Sequence, residues 1–380
     1  MDSVGLFVTG VGLFVGTATL TVMSARRRTS KVSSLVVPSK AEAERLVALI
    51  EERVQRDEGG RGIGELVLPR GELFNAAEAL LESTHVAIIS GFPCMLKFTP
   101  PTETDGPLGS MAIARALLAL GKTVTILTDE CNEGVFLACG AASGLQSYQQ
   151  RGRLMFESFP GAAEFDDQDS IRLQQVGAAC DLVVAIERAG PAEDGLYYTM
   201  RGFDMTALVA PLDDLLQPPP PPPSPPPPTR HEETSEGVGG LSSLLTTSRS
   251  APIKSIGIGD GGNEVGMGKI YQRILESRVP NAQQIACVVP TTHLLVCSVS
   301  NWGGYALAAA AALIASFRQQ RDARALLGEF LPSDDEERRM CSRMVEEGAR
   351  DGVSGLLECS VDGMPLEASL DVLRCLRDVL

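Results

Sequence analysis

The chain has 380 residues, enough for one large core or two modest ones, and carries 48 acidic against 33 basic side chains for a net charge of −15. That balance excludes a nucleic-acid partner, because phosphate neutralisation needs a basic stripe and the sequence has none. An anionic small ligand must therefore find local positive charge in backbone N–H groups, helix N-termini or single Lys and Arg side chains.

At the N-terminus, residues 4–23 (VGLFVTGVGLFVGTATLTVM) are uncharged and the basic block ARRRTSK follows. About 20 apolar residues suffice to span a bilayer, with the basic block on the cytoplasmic or matrix side. The Arg- and Ser-rich stretch that reaches residue 40 fits a targeting segment equally well. Residues 1–40 are thus set apart from the fold as an anchor or a targeting segment. In 41–57, Leu46, Val47, Ile50 and Val54 recur at helical spacing, which predicts a packing helix leading into a domain at 41–370.

Apolar, β-rich runs follow at 85–91, 123–128, 154–159, 181–186, 255–259 and 285–289. Helical segments alternate with them at 109–120, 133–143, 168–179, 206–216 and 264–277. Alternation with fully apolar strands predicts an α/β fold, a mostly parallel sheet covered by helices on both faces. Residues 217–251 begin QPPPPPPSPPPPT and continue in Ser, Thr, Gly and Glu. Proline runs favour polyproline II and the remainder has little to bury, so this reads as a disordered Pro-rich insertion within the domain. From Asp334 two helices flank the turn-rich GARDGVSGLLECSVDGMP, and 371–380 reads as a C-terminal tail. The nine cysteines include no C-x-x-C pair and read as reduced thiols.

In an open parallel sheet, ligands bind beyond the carboxyl ends of the strands. The candidates there are Glu103 and Asp105 after the first run, Glu187, Arg188 and Tyr197 after the fourth, and Asn301 and Trp302 at the start of a very apolar helix. Each has an ordinary structural alternative: Glu103, Asp105 and Asn301 as helix caps, Glu187 with Arg188 as a loop ion pair, Trp302 as core. His293 reads as structural.

After the fifth run comes GIGDGGNEVGMGKI, with Asp260, Gly261, Gly262, Asn263, Glu264 and Lys269. It overlaps the dinucleotide pattern G-x-G-x-x-G, but its carboxylates would repel a pyrophosphate, and Ile270 after Lys269 breaks the Walker pattern. Its glycines instead suit close approach of backbone N–H groups to a carboxylate, while Asp260 and Glu264 suit an ammonium group or a divalent metal.

The strings TETDGP (102–107), ERAG (187–190), DGLYY (194–198), GDGGNEVGMGK (259–269) and SNWGGYAL (300–307) together resemble the C-terminal domain of the mitochondrial D-glutamate cyclase family. The resemblance spans roughly residues 41–370 apart from the proline insertion, without a counterpart of the large N-terminal domain of two-domain animal members. It implies a mitochondrial hydro-lyase of glutamate metabolism that converts D-glutamate to 5-oxo-D-proline and water. No cofactor is required for an intramolecular ring closure; a divalent metal is compatible but not predicted. At the motif positions, chemistry suggests Asp260 or Glu264 as base and Glu103 or Asp105 as the acid that protonates the departing hydroxyl. The backbone of Gly261 and Gly262, with Asn263, would stabilise the oxyanion. Arg188 and Lys269 would take the substrate carboxylates, and Tyr197, Asn301 and Trp302 would line the walls. A non-catalytic module binding an acidic amino acid and a nucleotide-dependent transferase are the alternatives from other classes.

Overall fold

The computed structural model describes residues 35–217 and 252–380. The apolar run at 4–23, and the Pro-rich insertion from residue 218 to 251, lie outside the described residues. Six strands, β1 (His85–Gly91), β2 (Thr123–Asp129), β3 (Leu154–Phe159), β4 (Leu182–Arg188), β5 (Lys254–Gly259) and β6 (His293–Val296), form one parallel sheet in the order β3-β2-β1-β4-β5-β6. A small antiparallel pair, β7 (Ser360–Val361) and β8 (Met364–Pro365), stands apart from it. Strand order reverses between β1 and β4, so the chain leaves these neighbours in opposite directions and opens a crevice at their carboxyl ends.

The helices are α1 (Lys40–Val54), α2 (Glu72–Glu82), α3 (Pro107–Ala119), α4 (Glu133–Ala142), α5 (Gln146–Gln150), α6 (Asp167–Ala179), α7 (Tyr271–Glu276), α8 (Ala282–Ile285), α9 (Ser300–Gln319), α10 (Ala323–Phe330), α11 (Asp334–Glu346) and α12 (Leu366–Arg377). Val86 and Ile88 of β1 face a core built with α1–α4 and α9–α12, whereas Ala87 and Ile89 face the core shared with α6. Burial on both faces explains why the strands read as unbroken apolar runs. Helix α9 is buried from Ser300 to Ser316, and its small residues let α1, α2, α3, α10 and α12 close around it.

The structure departs from sequence expectation in four places. Segment 206–216 is two 3₁₀ turns, Thr206–Leu208 and Leu212–Leu216, separated at Pro211, which has no N–H to continue a helix. The helix expected from 264 begins only at Gly268, because Glu264 folds back onto its own loop. The run at 285–289 forms no strand: the Cys287 N–H donates to Gly262 O and the Val288 N–H to Pro191 O, so β6 forms at 293–296 instead. The stretch at 371–380, expected as a tail, instead carries the second half of α12 through Arg377, because Val372, Leu373 and Leu376 are buried. Among the described residues, no helix is long and apolar enough to cross a membrane.

Candidate active site

The loop from β1 to α3 carries Glu103 and Asp105. The Asp105 carboxylate accepts from the Ser300 and Asn301 N–H groups, both at 2.8 Å, and so caps α9. In return Asn301 Oδ1 accepts from the N–H groups of Gly106 (3.0 Å) and Gly109 (2.7 Å) at the start of α3. Two helix N-termini are thus tied side by side at the carboxyl edge of the sheet, where their dipoles favour negative charge.

Near the end of β4, Glu187 adopts φ 40°, a left-handed conformation unusual for a non-glycine residue, and its Oε2 is buried without a hydrogen-bond partner. Beyond β5, Glu264 turns back to accept from the N–H groups of Gly261 (2.6 Å), Gly262 (2.7 Å) and Asp260 (3.2 Å). The backbone nest expected to hold a substrate oxyanion is therefore filled by the chain's own carboxylate. Gly262, at φ 108°, is what lets the loop make that turn.

Two residues absent from the sequence candidates complete the cluster. Asp362 occupies the turn between β7 and β8 with Gly363, at φ 55° and 76°, the left-handed pair that a two-residue hairpin of the Asp-Gly type requires. Arg61, from the loop after α1, donates to Asp260, to Asp362 (3.1 Å) and to Ser298 O (3.0 Å). The Asp-Gly dipeptide was a readable hairpin signal; nothing local marks Arg61.

Around Asp260 the carboxyl oxygens crowd: Asp105, Asp260 and Asp362 offer atoms within 4.8 Å of one another, as do Glu187, Asp260 and Glu264. Burial, then repulsion from Asp105 and Asp260, pushes Glu103 well above the usual carboxyl range. Burial and Asp260 do the same to Glu187 and Asp362, and raise Asp105 and Glu264 to about 7. Burial opposes the Arg61 charge, but Asp260 and Asp362 outweigh it and hold the guanidinium protonated. Such a cluster near neutral pH must retain protons or gather further cations. A methyl group placed on Gly352 would meet Glu103 Oε2 at 1.9 Å and Asp362 Oδ1 at 3.6 Å, so both oxygens face that loop. Cys94 lies beside Glu103, and burial pushes its thiol up, away from nucleophilic character.

Other expected site residues are committed elsewhere. Arg188 is 1% exposed and pairs bidentately with Asp129 at 2.7 and 2.8 Å while donating to Ala210 O at 2.6 Å. It locks β4 to β2's end rather than facing a ligand, because a buried guanidinium requires a full set of acceptors. Lys269 bonds Glu72 at 2.9 Å and Thr292 O at 3.0 Å, beside the N-terminal end of β6 and so at the opposite end of the sheet from the cluster. His293 opens β6 at that same end. The Tyr197 hydroxyl donates to Asp213 at 2.6 Å, and Trp302 is core, its Nε1–H donating to Ser369 Oγ at 2.9 Å. Asn263 Nδ2 donates to Tyr198 O at 2.7 Å, which leaves Oδ1 buried and unpartnered.

Residues 50–220 and 229–377 match the family model described as D-glutamate cyclase-like, C-terminal. The chain is 32% identical over 341 residues to the Homo sapiens protein named D-glutamate cyclase, mitochondrial; the match covers 83% of this chain and 48% of that protein, so the chain spans about half the length of that relative. With its motifs gathered at the switch point of the sheet and the match extending across both halves of the fold, the chain belongs to the D-glutamate cyclase-like, C-terminal family.

Proposed function

We propose that this chain is a lyase that cyclises D-glutamate to 5-oxo-D-proline with release of water, in the mitochondrion as the name of its human relative states of that protein. The observation that carries the proposal is a half-buried cation, Arg61, beside Asp362, with Asp362 and Glu103 facing the same loop. A zwitterion with two carboxylates needs these elements: a positive partner, a proton acceptor for its ammonium group and a proton donor for the departing oxygen.

In this reading Arg61 exchanges one of its carboxylate partners for a substrate carboxylate. Asp362, ionised where its pairing with Arg61 holds the charge against its buried, acidic surroundings, accepts a proton from the α-ammonium group, the freed amine attacks the γ-carboxyl carbon, and a C–N bond forms. Glu103, which its buried and acidic surroundings keep protonated, donates to the oxygen as the C–O bond breaks. Two protons move in all from nitrogen to the oxygen that leaves as water, and transfer within the carboxyl cluster resets the pair. Holding the substrate folded into a ring supplies the proximity term, about 7 to 11 kcal/mol in favourable intramolecular systems. Arg61 thus takes the substrate-carboxylate role first assigned to Arg188 and Lys269, and Asp362 the base role first assigned to Asp260 or Glu264.

Incubation of the purified full chain with D-glutamate, followed by NMR, tests the reading. The expected result is 5-oxoproline from the D isomer and little from the L isomer, with turnover falling roughly 100-fold or more in Glu103→Gln at unchanged melting temperature. No product at high enzyme concentration overturns the reaction. Saturable thermal stabilisation by D-glutamate without product identifies a binding module instead.

A further inference from the structure

The carboxyl cluster has two halves that share Asp260, and only one of them contains its own cation. Arg61 donates to Asp260 Oδ2 and Asp362 Oδ2, which serves the half formed with Asp105. In the other half Glu187, Asp260 and Glu264 converge, and among the described residues no basic side chain donates a hydrogen bond to Glu187 or Glu264. Two buried acceptors there lack any donor. Glu187, 5% exposed, keeps Oε2 unpartnered, and Asn263, 1% exposed, keeps Oδ1 unpartnered. The Asn263 oxygen and Glu264 Oε1 border the same space: a methyl group on Gly261 would come within 2.9 Å of Glu264 Oε1 and 3.1 Å of Asn263 Oδ1. A buried acceptor without a donor costs the desolvation of its lone pairs, a cost that a cation would remove.

We propose that this half of the cluster binds one hard divalent cation, of the Mg²⁺ or Mn²⁺ type, through Glu187, Asp260 and Glu264, with Asn263 Oδ1 as a neutral oxygen at its side. The spacing fits. Oxygens on opposite sides of an ion, each bound at about 2.0 to 2.4 Å, are separated by no more than the 4.8 Å that encloses these three carboxyl oxygens. The donor set is carboxylate and amide oxygen, without His or Cys in either carboxyl group, which selects hard cations over zinc. The ion would offer an anionic ligand the positive charge that Arg188 and Lys269, paired elsewhere, do not. This inference concerns binding by the free chain and does not depend on the reaction proposed above.

The test is titration of the chelator-stripped full chain with Mn²⁺ at neutral pH, read by loss of the free-ion EPR signal and by melting temperature. Saturation at one ion per chain is expected, with competition by Mg²⁺, a rise in melting temperature and reversal by chelator. Glu187→Gln and Glu264→Gln should each weaken affinity roughly tenfold or more, while Lys269→Ala leaves it unchanged. Absence of saturable binding to the wild-type chain overturns the proposal whether or not the variants fold. Saturable binding that both Gln variants retain unchanged overturns it as well. Ion binding without turnover would refute only the reaction; turnover by a chain that binds no ion would refute only the metal site.

Discussion

Replacing Gly304 by Ala tests whether the contact between α3 and α9 positions the carboxyl cluster. The two helices meet glycine to glycine: a Cβ on Gly304 would stand 2.7 Å from both the Cα and the O of Gly109 and 2.9 Å from its carbonyl carbon. Non-bonded carbon atoms are comfortable at about 3.5 to 4.0 Å, so the helices must part by on the order of 1 Å. The caps at their N-termini have no such slack. Asn301 holds the Gly109 N–H at 2.7 Å and Asp105 holds the Asn301 N–H at 2.8 Å, lengths that 1 Å of separation would break. Overpacking of this kind costs about 1 to 3 kcal/mol, offset in part by the roughly 0.8 to 1 kcal/mol that Ala gains over Gly in helix propensity. Gly328→Ala in α10, where nothing lies within 4 Å of the added methyl, is the matched control and should gain about 0.4 to 1 kcal/mol. Urea unfolding of both variants reads the difference, and the Gly304 variant should also lose turnover. Equal stability in the two variants would show that the helix contact is not close-packed and would refute the reasoning.

Burial pushes Glu337, which accepts from the Tyr305 hydroxyl, up to about 7 from 4.5. A carboxyl raised on folding contributes stability that is complete below its unfolded value of about 4.5 and lost as pH rises through about 7. Glu337→Gln should therefore be more stable than wild type at pH 8.5 by up to about 3 kcal/mol, with the gap closing at pH 5; a gap independent of pH contradicts this. Arg188→Lys should lose about 3 to 5 kcal/mol, because it leaves the buried Asp129 without its fork, while the KM of the folded fraction stays put; the reverse pattern would make Arg188 a ligand group. Arg61→Gln removes the cation whose Nη2 donates to both Asp260 and Asp362, and should raise the KM for D-glutamate about tenfold. An unchanged KM would remove Arg61 from substrate binding.

Several elements were legible in the chain because local composition and tertiary demand agree. The runs at 85–91 and 154–159 are strands to the residue, and the first is buried over all but His85, as a central strand of a doubly covered sheet requires. Glu103, Asp105, Asp260 and Glu264 were visible as acids past strand ends, and parallel topology alone brings such positions to one edge. Local composition misled where partners compete. The run at 285–289 has the better strand sequence, yet Gly262 O and Pro191 O take its N–H groups and leave the sheet edge to 293–296.

What each polar residue does was decided only in three dimensions. Arg188 and Lys269 looked like substrate partners until Asp129 and Glu72 claimed them, and the glycine nest looked vacant until Glu264 folded into it. Arg61 meets Asp260 across 199 residues and Asp362 across 301. By itself the sequence determined which segments are apolar enough to form the sheet and where acids gather along it. The pairing of those acids belongs to the tertiary structure, because a buried charge is specified by its partner and no local pattern names a partner hundreds of residues away.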